Sequence, residues 1–150
     1  SSAASDVYKR QPTMFPDLEN TVVDGKNAYE SINNHDWVEN EFLPRVQQRG
    51  AEIIQARGAS SASSAARAAC ETVKAVEHPT RSGDVFNAAV LSDGAYGMPE
   101  GIFSGFPLIS DGNGSVEIVR DYSLSEFAKT GLKKTADELM AEKNLVKDLI

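Results

Sequence analysis

Two helical patterns meet at a hinge built almost wholly from Gly, Ala and Ser, and few folds accommodate that junction. The first pattern places Phe42, Val46, Ile53 and Ile54 on one stripe with charged and amide residues between them, the signature of an amphipathic helix. The second, after Gly58-Ala59-Ser60-Ser61, carries Ala62, Ala65, Ala66, Ala69, Cys70 and Val73. It is so poor in bulk that another backbone or a ligand can lie directly against it. A helix start with unpaired N–H groups beside several hydroxyls suits a small polar or anionic molecule. The junction is therefore read as a binding feature rather than as a catalytic one.

The rest of the chain frames this junction. Pro12 to Asn34, with two prolines and Asp24-Gly25, reads as a loop with one short strand around Thr21–Val23. Asn33 or Asn34 is placed to cap the helix that enters at Asp36-Trp37. Pro44 predicts an interruption, giving a short helix to about Phe42 and a longer one from Pro44 to about Arg57. Gly58 supplies the stop. The second helix runs to about Glu77, where His78-Pro79 ends it. Strands are expected over Asp84–Leu91, Ile102–Ile109 and Val116–Arg120, the last two joined by a hairpin turn at Asp111-Gly112-Asn113-Gly114. A long amphipathic helix starts at Glu126, capped by Ser123 or Ser125. Helices, a strand meander, then a helix make an α+β fold, with helices packed on one face of a small antiparallel sheet.

Charge and composition narrow the function classes. A net charge of −7 with no Lys/Arg cluster argues against a nucleic-acid surface. The single cysteine, Cys70, cannot form an internal disulfide. No apolar run approaches the length of a bilayer span. The expectation is a soluble, cytoplasmic protein with no membrane or nucleic-acid partner and no metal. Ser1 to Gln11 back-translates, codon for codon in one frame, into an adapter used in transposase-made sequencing libraries. Residues 1–11 are therefore expected to be non-native, leaving 12–150 as the natural domain.

Val46-Gln47-Gln48-Arg49-Gly50-Ala51, Ala56-Arg57, the Ser60-Ser61 pair followed by alanines, Ser92 through Gly101 and Phe106-Pro107 together resemble malate dehydrogenase. The likeness is to the cytosolic, chloroplast and bacterial branch of the lactate/malate dehydrogenase family, and it covers the chain from Pro12 onward. The resemblance implies interconversion of (S)-malate and oxaloacetate with NAD, with NADP left open because the selecting residues lie upstream. It implies the family's C-terminal α+β domain, without the Rossmann domain that binds the cofactor, and a homodimer in the full-length protein. In the family the helix at Pro44–Arg57 faces a partner's cofactor domain, so this chain alone is expected to self-associate through its exposed stripe.

The family's acid–base histidine lies just upstream of the stretch here spanning Thr13 to Asp17. Counting back, Arg10 holds the histidine's place and Lys9 that of the preceding asparagine. An always-charged guanidinium cannot switch protons near neutral pH, so no catalytic residue is expected and the chain alone is read as inactive. Ser60 matches the position where a small hydroxyl residue lines the substrate pocket, and Ser61 is its neighbour. Helix capping alone competes for both. Gly112-x-Gly114 sits in a hairpin rather than between a strand and a helix, so it is no dinucleotide fingerprint.

Other polar residues are assigned lesser roles. His35 and His78 flank helices and are expected to cap termini or lie on the surface. Cys70 is read as a small buried filler. Asp93 and Glu100 belong to a structured loop, and Asp111 with Asn113 lacks the later carboxylate of a calcium loop. Arg49 and Arg57 are expected to snorkel or pair with acids such as Glu52. A non-catalytic docking module using the same hinge is the alternative reading, and a lactate dehydrogenase relative is a third.

Overall fold

The computed structural model describes residues 17–59 and 62–149. In chain order the elements are β1 (Val22–Val23), β2 (Lys26–Asn27), α1 (Ala28–Ile32), α2 (His35–Trp37), a π-helical turn (Val38–Phe42), α3 (Leu43–Arg57) and α4 (Ala62–Glu77). There follow β3 (Phe86–Leu91), a 3₁₀ turn (Ala95–Gly97), β4 (Phe103–Ser110), β5 (Val116–Ile118), α5 (Glu126–Leu145) and a closing 3₁₀ turn (Lys147–Leu149). They group into two compact units. The described part of one is residues 17–59 with 122–135, and of the other residues 62–121 with 136–149.

The first unit opens with a hairpin: β1 is the short strand expected around Thr21–Val23, and its partner β2 falls where the sequence predicted loop. Val22 pairs with Asn27 and Val23 with Lys26, and the turn residues Asp24 (φ 51) and Gly25 (φ 75) are both left-handed. Two successive positive φ values match the strands' own twist, which is why Asp-Gly is favoured here. Asn27 then caps α1 by accepting the Glu30 N–H (3.0 Å), while its Nδ2 donates to the Glu19 carbonyl (2.6 Å). Asn33 ends α1 in the left-handed conformation. Of the two asparagines expected to cap α2, it is Asn34 that accepts the Trp37 N–H, at 3.0 Å.

Pro44 does not break the helix as expected. The path stays helical from His35 to Arg57 because the turn ahead of it widens to five residues, the Leu43 N–H reaching the Val38 carbonyl. A proline lacks the N–H for the ordinary bond and its ring collides with the carbonyl four residues back. A π-turn absorbs both problems by giving that carbonyl more room. Trp37 stacks on Phe42 across the same turn, ring centroids 5.3 Å apart at 28°. Gly58 stops α3 as predicted, at φ 71, its N–H on the Ile54 carbonyl. Ala28, Val38, Leu43 and Ala128 are the buried apolar residues of this unit, and Ser125 rather than Ser123 caps α5 through the Ala128 N–H.

The second unit is the expected antiparallel sheet, in the order β3-β4-β5. Its register places Phe86 opposite Leu108 and Ala88 opposite Phe106 on one face, with Leu91 opposite Phe103 on the other. Phe106 and Leu108 are each only 1% exposed and form the centre of its core. Helix α4 packs against β3 and β4. Polar bonds tie its C-terminal end to the β4–β5 hairpin: Ser110 Oγ donates to the Val76 carbonyl (2.6 Å) and the Thr80 N–H to the Ser110 carbonyl (3.0 Å). Gly112 approaches Pro79 so closely that a Cβ there would lie 2.5 Å from Pro79 Cδ. The sheet's other face stays open, with Leu91 54% and Phe103 66% exposed as a cross-strand pair.

Candidate functional site

The helical junction is bounded by Gly58 on one side and Ala62 on the other. Ser60 and Ser61, the predicted substrate-side hydroxyls, lie outside the described residues, as does Arg10. What is described is the helix that follows. Ala65, Ala68, Thr72, Ala75 and Val76 are half-buried, a stripe at helical spacing that matches the side packed on the sheet. Ala62, Ala66, Ala69, Cys70 and Val73 are exposed on the other side, so both sides of the helix carry small residues.

Cys70 therefore corrects the expectation of a buried filler. An Ala-rich helix offers no polar contrast from which a sequence reveals its inward stripe. The inward side is chosen by fit against β3 and β4, and Cys70 falls on the opposite side.

The loop from Ser92 to Gly101 is held by its own polar groups. Buried Ser92 donates through Oγ to the Met98 carbonyl (3.2 Å) and accepts the Gly94 N–H (3.2 Å). Tyr96 adopts a left-handed φ of 55 between Gly94 and Gly97, and its hydroxyl donates to the Val119 carbonyl (2.5 Å). An aromatic residue in that region costs roughly 1–3 kcal/mol, so its surroundings must hold it there. Lys143 Nζ donates to the Gly101 carbonyl at 3.1 Å.

Asp93 does not act with Glu100 as a carboxylate pair. It accepts a hydrogen bond from the Arg120 guanidinium and another from the Ala95 N–H (3.2 Å). The Arg120 hydrogen bond is the main cause that holds the Asp93 carboxyl below the usual aspartate range. Sequence reasoning missed this pair because the two residues stand 27 positions apart in loops without periodicity.

The histidines stay local. The Nδ1 of His35 is hydrogen-bonded to the Tyr29 hydroxyl, with the rings edge-on at 4.2 Å. His78 Nδ1 meets the Lys74 carbonyl at 2.9 Å, closing the end of α4. Arg49 pairs with Glu52 at 3.0 Å, as expected. Asp111 Oδ1 accepts the N–H groups of Asn113 (2.7 Å) and Ser115 (3.3 Å), shaping a hairpin turn. Among the described residues no group of three or more His, Cys, Asp or Glu is placed to hold a metal ion. No helix among them is long and apolar enough to cross a membrane.

A recess in the first unit, about 40 Å³, is floored by Val38 and Leu43 and edged by Asp17, Glu19, Tyr29 and Glu39. Its carboxylates would repel a dicarboxylic acid. It is no substrate pocket.

Comparison with known proteins places this architecture. Residues 11–150 match the family described as lactate/malate dehydrogenase, alpha/beta C-terminal domain. The malate dehydrogenase of Magnetococcus marinus is 47% identical over 135 residues, covering 90% of this chain and 41% of that protein. Among solved structures, malate dehydrogenase from Naegleria fowleri superposes with a TM-score of 0.83 at 36% identity, over 92% of this chain and 42% of its own. The lactate dehydrogenase of Trichomonas vaginalis in complex with NADH and oxamate shares the fold, with a TM-score of 0.80 at 22% identity over 98% of this chain and 52% of its own. The chain thus spans about two-fifths of the length of the Magnetococcus protein. An antiparallel three-stranded sheet backed by a small-residue helix, matched to one family over nearly all its length, leads to one assignment: the chain belongs to the lactate/malate dehydrogenase family, as its alpha/beta C-terminal domain.

Proposed function

We propose that residues 12–150 are the substrate-side and assembly domain of an NAD-dependent malate dehydrogenase, which interconverts (S)-malate and oxaloacetate in the cytoplasm as a homodimer. Residues 1–11 are, on this reading, a translated adapter. The observation that carries the proposal is the 47% identity to a malate dehydrogenase over 135 residues. That value, with the 36% identity to the Naegleria malate dehydrogenase, supports malate as the substrate.

The chain's own contribution is binding and assembly. Ser60, with Ser61 beside it, is assigned to the substrate pocket, where a hydroxyl at a helix start contacts a carboxylate. NAD supplies hydride transfer. Among the described residues no glycine-rich turn joins a strand to a helix as a dinucleotide seat requires, so its binding is assigned to sequence upstream of Pro12. The Trichomonas relative holds NADH, which supports that cofactor for the family.

The test begins with the genomic reading frame upstream of Pro12. The full-length protein should oxidise NADH with oxaloacetate, and Ser60→Ala should raise KM for oxaloacetate more than it lowers kcat. The 150-residue chain alone should show no turnover. A full-length protein that accepts only a lactate-type substrate, or a turning-over 150-residue chain, would refute the proposal.

A further inference from the structure

We propose that Asn113 is a site of spontaneous deamidation and isoaspartate formation. The inference stands apart from the dehydrogenase reading and rests on the β4–β5 loop. Asn113-Gly114 is the one Asn-Gly step in the sequence; each of the other seven asparagines precedes a residue with a side chain.

The reaction needs only water. The backbone nitrogen of Gly114 attacks Cγ of Asn113 and closes a five-membered imide. The new N–Cγ bond replaces the Cγ–Nδ2 bond, and the amide leaves as ammonia after taking up the proton from the Gly114 nitrogen. Water then adds to either imide carbonyl. Opening at one side yields aspartate, and opening at the other routes the main chain through Cγ as isoaspartate. One water enters, one ammonia leaves and nothing is oxidised or reduced.

The loop leaves the attacking nitrogen unobstructed. Asn113 and Gly114 are both exposed, and a Cβ built on Gly114 would meet nothing within 4 Å. Rotation about the Asn113 Cα–C bond brings the attacking nitrogen towards Cγ, and a glycine carries no side chain to obstruct the approach. The Asn113 backbone is pinned through its N–H on Asp111 Oδ1. Among the described residues no hydrogen bond engages the Asn113 carboxamide or the Gly114 N–H. Both reacting groups are therefore available in the folded state.

The surroundings make the product costly. An isoaspartate adds a main-chain carbon between Asp111 and Ser115, which share the bond from the Asp111 N–H to the Ser115 carbonyl (3.3 Å). Gly112 lies close against Pro79, which leaves little room to absorb it on that side. Either product also adds a negative charge to a turn that already holds the Asp111 carboxylate.

To test this, the purified chain is incubated in mildly alkaline buffer, beside a peptide of residues 110–116 and the Asn113→Gln chain. Peptide mapping that separates aspartate from isoaspartate reads the products. Expected are acidic species and released ammonia mapping to residue 113, formed as fast in the folded chain as in the peptide and absent from N113Q. Roughly tenfold or greater protection in the folded chain would overturn the inference, since it would mean the native loop shields the step. Acidification that persists in N113Q, or maps to another asparagine first, would also overturn it.

Discussion

Gly112 and Gly114 stand two positions apart in one turn, at φ values of 80 and 85, so they form a matched pair. A Cβ on Gly114 meets open space, whereas one on Gly112 would lie 2.5 Å from Pro79 Cδ and 2.7 Å from its backbone nitrogen. Alanine at either position bears the left-handed conformational cost of roughly 1–2 kcal/mol, partly offset by about 0.4–1 kcal/mol from the stiffer unfolded chain. Gly114→Ala should therefore lose no more than about 1.5 kcal/mol. Gly112→Ala adds an overlap that backbone must yield to, worth about 1–3 kcal/mol more. Its loss should exceed that of Gly114→Ala by that amount, because the shift strains the bonds from Ser110 to Val76 and from Thr80 to Ser110. Thermal unfolding followed by circular dichroism should show Tm falling by roughly 3–12 °C more for G112A than for G114A. Equal losses in the two variants would show that the Pro79 contact does not constrain the turn.

Three further outcomes follow from other parts of the molecule. Phe106→Ala, at the centre of the sheet's core, should cost about 3–5 kcal/mol in chemical denaturation; a loss below 1 kcal/mol would mean the core is not formed around it. Asp93 should titrate below the ordinary aspartate range in carboxyl NMR, and Arg120→Ala should return it upward. Its folded pKa is depressed, so its stabilising contribution is present above the unfolded value and is lost as pH falls through the folded one; an unchanged Asp93 titration in R120A would refute the assignment. Cys70 should react with a maleimide in the native chain at a rate near that of a small thiol, and labelling that requires denaturant would place it inside.

Much of the fold was legible because strong local signals agreed with one another. Gly58, Ser125 and the hairpin at Asp111–Gly114 act through local chemistry, which a sequence displays directly. Strand β1 was anticipated around Thr21–Val23, but its partner β2 was not legible, because two residues carry no periodicity. Helix α1 was missed for the same reason of shortness. Pro44 was read by its usual rule, and the structure instead moved the accommodation upstream into the turn at Val38–Phe42. Of the candidate site, Ser60 and Ser61 lie outside the described residues, and the covered side of α4 was not legible, since a helix of alanines gives no sign of it.

The wide turn ahead of Pro44 also says how this helix tolerates change in length. A π-turn is an ordinary helix holding one surplus residue. Removing one residue from Val38–Phe42 together with Pro44→Ala should leave a straight helix whose downstream face keeps its bearing. The same single deletion inside Leu43–Arg57 would rotate everything beyond it by about 100°, turning Ile53 and Ile54 away from their present neighbours. Insertions and deletions among related chains should therefore gather at the first place and avoid the second.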